Sequence, residues 1–172
     1  MIIDILNFVV RFILLVFLQI VIVNNIDLST YVNPYIYVVV ILSLPYNTKP
    51  WLVLVISFLL GMTMDTFSSM PGPHIAATVL MGYLRRFYLI FSTNKDDLST
   101  NIVPNFNSKG PIGYMVYALI MVFSHHFLLF FLEAFSFNQF LSTLSRIFFS
   151  TLFTVLLIGL GQLLFYKVAK KA

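Results

Sequence analysis

Three charged side chains stand within or beside long apolar runs, where an acid and a base could meet. Asp65, Glu133 and Arg146 each fall near the same end of a predicted membrane span. Because a charge in a bilayer is costly, such residues usually face the interior of a helix bundle and pair with one another. We therefore predict an internal ion-pair cluster, with Arg146 as the leading partner of Asp65. The alternative is that headgroups or water satisfy each charge separately.

Two adjacent histidines offer the other recognisable acid–base chemistry. His125 and His126 point about 100° apart on a helix, so they cannot chelate one metal ion from one face. His126 shares a helix face with Glu133, and we expect structural hydrogen bonds from these rings; a proton relay is the alternative. The chain has no Cys and none of the HExxH, GxSxG or phosphate-cradling glycine motifs. The residues therefore predict no catalytic, metal or cofactor site.

The composition predicts an integral membrane protein. The chain has 172 residues, of which 60% are apolar and 9% charged, and its mean hydropathy is +0.97. Soluble domains carry about 25% charged residues. We predict a single all-α transmembrane domain with no room for a soluble catalytic domain. Its six predicted spans lie near residues 5–23, 32–46, 51–68, 73–91, 113–134 and 141–166.

The basic residues predict the orientation, because cytoplasmic loops are enriched in Lys and Arg. With a cytoplasmic N-terminus, the loops around 24–31, 69–73 and 135–140 hold no basic residue. We expect both termini in the cytoplasm. At the end of the fourth span, either Arg85 and Arg86 snorkel to the cytoplasmic surface or residues 87–91 lie flat in the interface, and we favour a helix whose last turns lie at the interface. The basic residues on the cytoplasmic side are Lys49, Arg85, Arg86, Lys95, Lys109, Lys167, Lys170 and Lys171.

Small and polar residues recur at helical spacing in three spans. They are Asp4, Asn7, Arg11 and Gln19 in the first, Ser57, Gly61 and Asp65 in the third, and Arg146, Ser150 and Thr154 in the sixth. Small residues four apart let helices approach closely. The first-span stripe is either a snorkelling Arg11 paired with Asp4 or a contact surface for another helix. An interfacial aromatic belt is predicted from Tyr31, Tyr35, Tyr37, Tyr46, Trp51 and Tyr166.

Motifs in the first half of the chain resemble the rod shape-determining MreD family of the bacterial inner membrane. The most specific run contains Gly61 and ends at Asp65, four residues later. It is followed by a break containing Gly72 and by a helix rich in small residues. The matching stretches are Phe17-Leu18-Gln19, Pro34-Tyr35-Ile36-Tyr37, Leu44-Pro45, Phe58-Leu59-Leu60-Gly61-Met62-Thr63-Met64-Asp65, Pro71-Gly72, Ala76-Ala77 and Tyr83-Leu84-Arg85-Arg86. The later spans match in layout only.

The resemblance implies a non-enzymatic scaffold in the cell-elongation machinery that makes peptidoglycan in rod-shaped cells. It names MreC as the direct partner, with MreB, RodA and penicillin-binding protein 2 in the same machinery. It also implies a six-helix fold similar to the substrate-binding S-components of energy-coupling-factor transporters. The alternative function is therefore the substrate-binding membrane component of a vitamin transporter, whose ligand pocket would lie near the outer face with Asp65, Glu133 and Arg146. An enzyme of lipid or polyprenol phosphate chemistry ranks third.

Overall fold

The computed structural model describes residues 2–26, 31–68, 70–135 and 139–166, and in this part of the chain it is all-helical without a β-strand. Four helical stretches are long and apolar enough to cross a membrane, and the 17-residue α3 is apolar but shorter. The elements are α1 (Ile2–Val21), 3-10 turns at Val23–Asn25 and Ile36–Val38, α2 (Val39–Leu42), α3 (Pro50–Thr66), α4 (Pro73–Ser92), α5 (Lys95–Leu98), α6 (Phe106–Ala134) and α7 (Phe140–Phe165). The predicted all-α fold is confirmed for the described residues, with four candidate membrane-spanning helices; the six predicted spans are not confirmed.

The predicted second span is not a continuous helix. Residues 31–46, which we call the core segment, are non-helical as far as Tyr35, then form a 3-10 turn, the four-residue α2 and a further turn. Pro34 has no amide hydrogen and disfavours helical geometry in the residue before it. Tyr37, Val38 and Ile41 are completely buried. The apolar run at 32–46 therefore belongs to the protein interior and not to a lipid-facing helix.

The core segment runs from one end of the helix bundle to the other. At the first end, which we call the Glu133 end, the amide of Asn33 donates to the hydroxyl of Ser150 at 2.9 Å. At the opposite end, which we call the Lys109 end, the amide of Tyr46 donates to the carbonyl of Ile102 at 3.0 Å. Helices α1, α3 and α6 end at the Glu133 end, where α4 and α7 begin.

The small face of α3 makes the close helix contact that the spacing predicts, and its partner is α4. A Cβ atom at Gly61 would lie 2.5 Å from the Cα of Ile75 and 2.7 Å from the carbonyl oxygen of His74. One turn earlier on α3, Ser57 lies directly against Gly82 of α4. The backbones of α3 and α4 approach so closely because glycines, Gly61 and Gly82, stand at the two contacts.

Helix α6 begins seven residues before the predicted span 113–134. Asn105 accepts hydrogen bonds from the amides of Asn107 and Ser108, and the Ser108 hydroxyl accepts one from the Asn105 amide. This capping box stabilises an additional N-terminal turn. Gly110 is non-helical, with φ of 72°, and Pro111 follows it, so the added turn is kinked against the rest of the helix.

The aromatic belt is only partly as predicted. Trp51 and Tyr31 are exposed, but Tyr35, Tyr37 and Tyr46 are buried. These three tyrosines lie on the core segment, so they pack inside the bundle and not on the outer face of a helix. The prediction is wrong for them because it assumed that residues 32–46 form an outer helix.

Candidate functional site

Gln19 of α1 binds the backbone of the core segment. Its side-chain nitrogen donates to the carbonyl of Pro34 at 3.0 Å, and its oxygen accepts from the amide of Ile36 at 2.7 Å. Gln19 is completely buried. Its amide group therefore replaces two backbone hydrogen bonds that a regular helix would have made for itself.

The polar stripe of α7 has the same role. Besides the bond between Ser150 and Asn33, the amide of Tyr35 donates to the Thr154 hydroxyl at 3.2 Å. Irregular backbone at membrane depth is tolerated only where protein or water satisfies its polar groups. The polar stripes of α1 and α7 are predicted to contact other helices. Gln19, Ser150 and Thr154 of these stripes instead form hydrogen bonds with the backbone of the core segment.

Arg85 satisfies the other end of the core segment. It is 2% exposed, and its guanidinium donates to the carbonyls of Leu44 and Pro45 and, at 3.0 Å, to the Tyr117 hydroxyl. The expected snorkelling of Arg85 is therefore wrong, because the backbone carbonyls after α2 have no helical donors and lie within its reach. Arg86, one position later, is exposed.

Asp65 caps the first turn of α4. Its carboxylate accepts hydrogen bonds from the amides of Gly72, His74 and Ile75 at 2.9, 3.0 and 3.1 Å. Gly72 has φ of 111°, a conformation that glycine adopts without strain. The expected pair of Asp65 with Arg146 does not form, because the unpaired amides and positive dipole of the α4 N-terminus bind this carboxylate.

Arg146 pairs with Glu133 instead. The guanidinium nitrogen Nη1 lies 3.0 Å from Oε2 of Glu133, and the guanidinium also lies 4.2 Å from the centre of the Phe130 ring. The side chains of Arg146 and Glu133 are 31% and 23% exposed. The predicted three-residue cluster is thus divided into a helix cap at Asp65 and a separate, partly exposed ion pair.

The histidines make the hydrogen bonds that the sequence predicts, and His74 joins them. The hydroxyl of Tyr37 lies 2.8 Å from Nδ1 of His74 and 2.8 Å from Nε2 of His125. Nδ1 of His126 lies 2.8 Å from the carbonyl of Val122, so it donates there. No spacing in the sequence singles out His74; only the position of the core segment brings Tyr37 between the two imidazoles.

A cavity of about 490 Å³ lies at the Glu133 end, among the ends of α1, α3 and α6 and the beginnings of α4 and α7. A second cavity of about 400 Å³ lies at the Lys109 end, where the Lys109 ammonium lies 5.6 and 5.9 Å from the ring centres of Tyr46 and Tyr88. The described residues contain no group of His, Asp and Glu side chains that could hold a metal ion. The polar lining of the first cavity includes Asn24, Asn33, Tyr35, His74, Glu133 and Arg146.

Double-mutant cycles should show that Arg146 interacts with Glu133 and not with Asp65. We expect Glu133→Gln and Arg146→Gln to show a coupling free energy of about 0.5–1 kcal/mol, as for other partly exposed ion pairs. Asp65→Asn and Arg146→Gln should be additive, because these two side chains do not contact each other. The measurement is the free energy of unfolding in mild detergent. Strong coupling between Asp65 and Arg146 would contradict this arrangement.

The polar residues near the start of α1 do not join the interior sites. Asn7 and Arg11 are both exposed on α1. The predicted partner of Arg11, the side chain of Asp4, lies outside the described side chains, so that pairing stays a prediction.

Comparison with known protein families, with curated proteins and with solved structures finds no match for this chain.

Proposed function

We propose that this chain is a non-enzymatic scaffold of the bacterial cytoplasmic membrane that binds components of the cell-elongation machinery. The supporting observation is the exposed face of α1. Asn7 and Arg11 are exposed there, one helical turn apart. Polar side chains in a membrane helix usually face protein or an aqueous cavity. A partner's helix against this face would supply such a protein contact.

Helix α1 is the least buried of the four long helices. Val16 and Gln19, which face the bundle, are its only buried residues among those whose side chains are described. Its exposed apolar side chains, such as Leu6, Val10 and Ile13, suit either lipid or a second helix. The resemblance supplies the partner: the single membrane helix of MreC would lie along α1, within the assembly that contains MreB, RodA and penicillin-binding protein 2.

Depletion of this protein should turn rod-shaped cells round, and a tagged copy should retain MreC in mild detergent. Replacement of Asn7 and Arg11 by Leu should remove MreC from the purified complex, because the polar contacts are lost while an apolar helix surface remains. Arg86→Leu, which removes an exposed arginine from α4, is the matched control and should retain MreC. Rod-shaped cells after complete depletion would contradict the proposal.

We also propose that the Lys109 end is cytoplasmic, because Lys49, Lys95 and Lys109 all lie there. The chain lacks Cys, so single introduced cysteines report cleanly. Gln139→Cys should react with a membrane-impermeant maleimide added to intact cells, and Asn94→Cys should react only after the membrane is opened. Neither side chain makes a capping hydrogen bond. The reverse labelling pattern would invert the proposed orientation.

The second candidate is the substrate-binding component of a vitamin transporter. The cavity at the Glu133 end favours it, since such a component needs a ligand pocket near its outer face. Affinity purification distinguishes the two functions. A co-purified ATPase module together with a vitamin, in cells that remain rod-shaped after depletion, would replace the scaffold by the transporter component.

A further inference from the structure

The cavity at the Glu133 end is a polar space in a chain whose residues are 60% apolar. Two opposite charges, those of Glu133 and Arg146, stand in its wall, together with the amide side chains of Asn24 and Asn33. The carboxylate of Asp65 is occupied by the three backbone amides at the start of α4. Among the described residues that line the cavity, the ion pair therefore supplies the only formal charges.

The helix dipoles do not favour this pair of charges, least of all at Glu133. Glu133 is the penultimate residue of α6, where the helix dipole favours a cation, and Arg146 lies in the second turn of α7, nearer the end that favours an anion. A partly exposed ion pair contributes little to stability. Stability of the isolated helices therefore does not explain the pair, and an ionisable residue at such a position indicates a functional site.

The ion pair leaves polar atoms for a ligand. It joins one guanidinium nitrogen to one carboxylate oxygen, while both side chains remain partly exposed. Because Nη1 of Arg146 binds Glu133 and its Nε is buried, Nη2 is the guanidinium nitrogen left to donate to a carboxylate or phosphate. The Glu133 carboxylate accepts hydrogen bonds from an ammonium group. A molecule with both kinds of charge can thus bind at both partners without leaving either charge uncompensated.

We propose that this cavity binds a small zwitterion, with its anionic carboxylate or phosphate on Arg146 and its ammonium group on Glu133. The cavity of about 490 Å³ corresponds to roughly sixteen water molecules at about 30 Å³ each, which accommodates a molecule of the size of phosphoethanolamine. The same chemistry occurs in soluble amino compounds and in the headgroup of a zwitterionic lipid. The inference rests on neither the scaffold nor the transporter proposal.

Thermal unfolding of the purified full chain in a non-ionic detergent tests the site. Phosphoethanolamine should raise the Tm, whereas ethanolamine and inorganic phosphate at the same concentration should leave it unchanged. In parallel, nanodiscs of phosphatidylglycerol with and without phosphatidylethanolamine distinguish the two sources. A rise with the free compound assigns a soluble zwitterion, and a rise with the lipid alone assigns a headgroup. No rise in either arm, or equal rises with all three free compounds, would overturn the proposal.

Two variants connect the binding to the ion pair. Glu133→Gln should lose the preference for the zwitterion, so that inorganic phosphate and phosphoethanolamine give equal rises in Tm. Lys109→Gln, in the cavity at the opposite end, is the matched control and should keep the wild-type preference. A Glu133→Gln protein that still prefers phosphoethanolamine would contradict the assignment of the ammonium group. If that variant does not fold, the comparison of the three free compounds on the wild-type protein decides. Both tests measure Tm and not cell shape, so their outcome is independent of the test of the scaffold proposal.

Discussion

Gly61→Ala should strongly destabilise the protein. The added methyl group would lie 2.5 Å from the Cα of Ile75 and 2.7 Å from the carbonyl oxygen of His74. Both neighbours are backbone atoms, so no side-chain rotation can make room, and α3 must move away from α4. Overpacking of this kind costs about 1–3 kcal/mol or more. We expect a loss at the upper end in the free energy of unfolding, measured by denaturant titration in mild detergent.

Gly161→Ala is the matched control for this substitution. Gly161 also lies in a long helix, but among the described residues no atom outside its own helical backbone and chain neighbours lies within 4 Å of the position its Cβ would take. Alanine is favoured over glycine inside a helix by about 0.5–1 kcal/mol. The control should therefore be neutral or slightly stabilising. Equal losses for the two variants would show that the close approach of α3 and α4 is not what makes Gly61 sensitive.

Arg85→Met should lower the free energy of unfolding by about 3 kcal/mol or more, because a hydrogen bond to a charged group contributes about 1.5–3 kcal/mol. The methionine keeps much of the apolar stem but removes the donors that hold the carbonyls of Leu44 and Pro45 and the hydroxyl of Tyr117. Those buried acceptors would lose their partner inside the bundle. The same denaturant titration measures the loss, which should appear as poor folded yield in cells.

Arg86→Met changes the adjacent, exposed arginine. We expect a change within about 0.5 kcal/mol, as for other surface substitutions. Similar losses at both positions would indicate that the positive charge near the membrane surface matters, and not the hydrogen bonds to the core segment. Arg85→Lys should fall between wild type and Arg85→Met, because a single ammonium group cannot reproduce the fork of a guanidinium.

The helices of this protein are largely predictable from its amino-acid pattern. The predicted bounds of α3, α4 and α7 agree with the structure to within two residues, because proline breaks and long apolar runs mark where such helices begin and end. That Gly61 lies on a close-packing face of α3 is likewise predictable, since small residues four apart lie on one helix face. These features depend on local sequence alone.

The core segment could not be predicted in the same way. Hydropathy measures the preference of side chains for an apolar environment. The side chains of residues 32–46 find such an environment both in a lipid-facing helix and in a buried irregular segment, so hydropathy does not distinguish the two. The difference lies in the backbone partners. Gln19, Thr154 and Arg85 supply them from three other helices, and nothing in the local pattern of residues 32–46 indicates that these side chains are near.

The partners of the charged residues also depend on tertiary packing and could not be predicted from the local pattern. The amino-acid pattern places Asp65, Glu133 and Arg146 at one end of the bundle, and they do lie around one cavity or beside it. It does not say that Asp65 binds amides of α4 while Arg146 binds Glu133. A carboxylate binds whichever donors the folded chain leaves unpaired within reach, and those donors belong to residues brought together only by the packing of the helices.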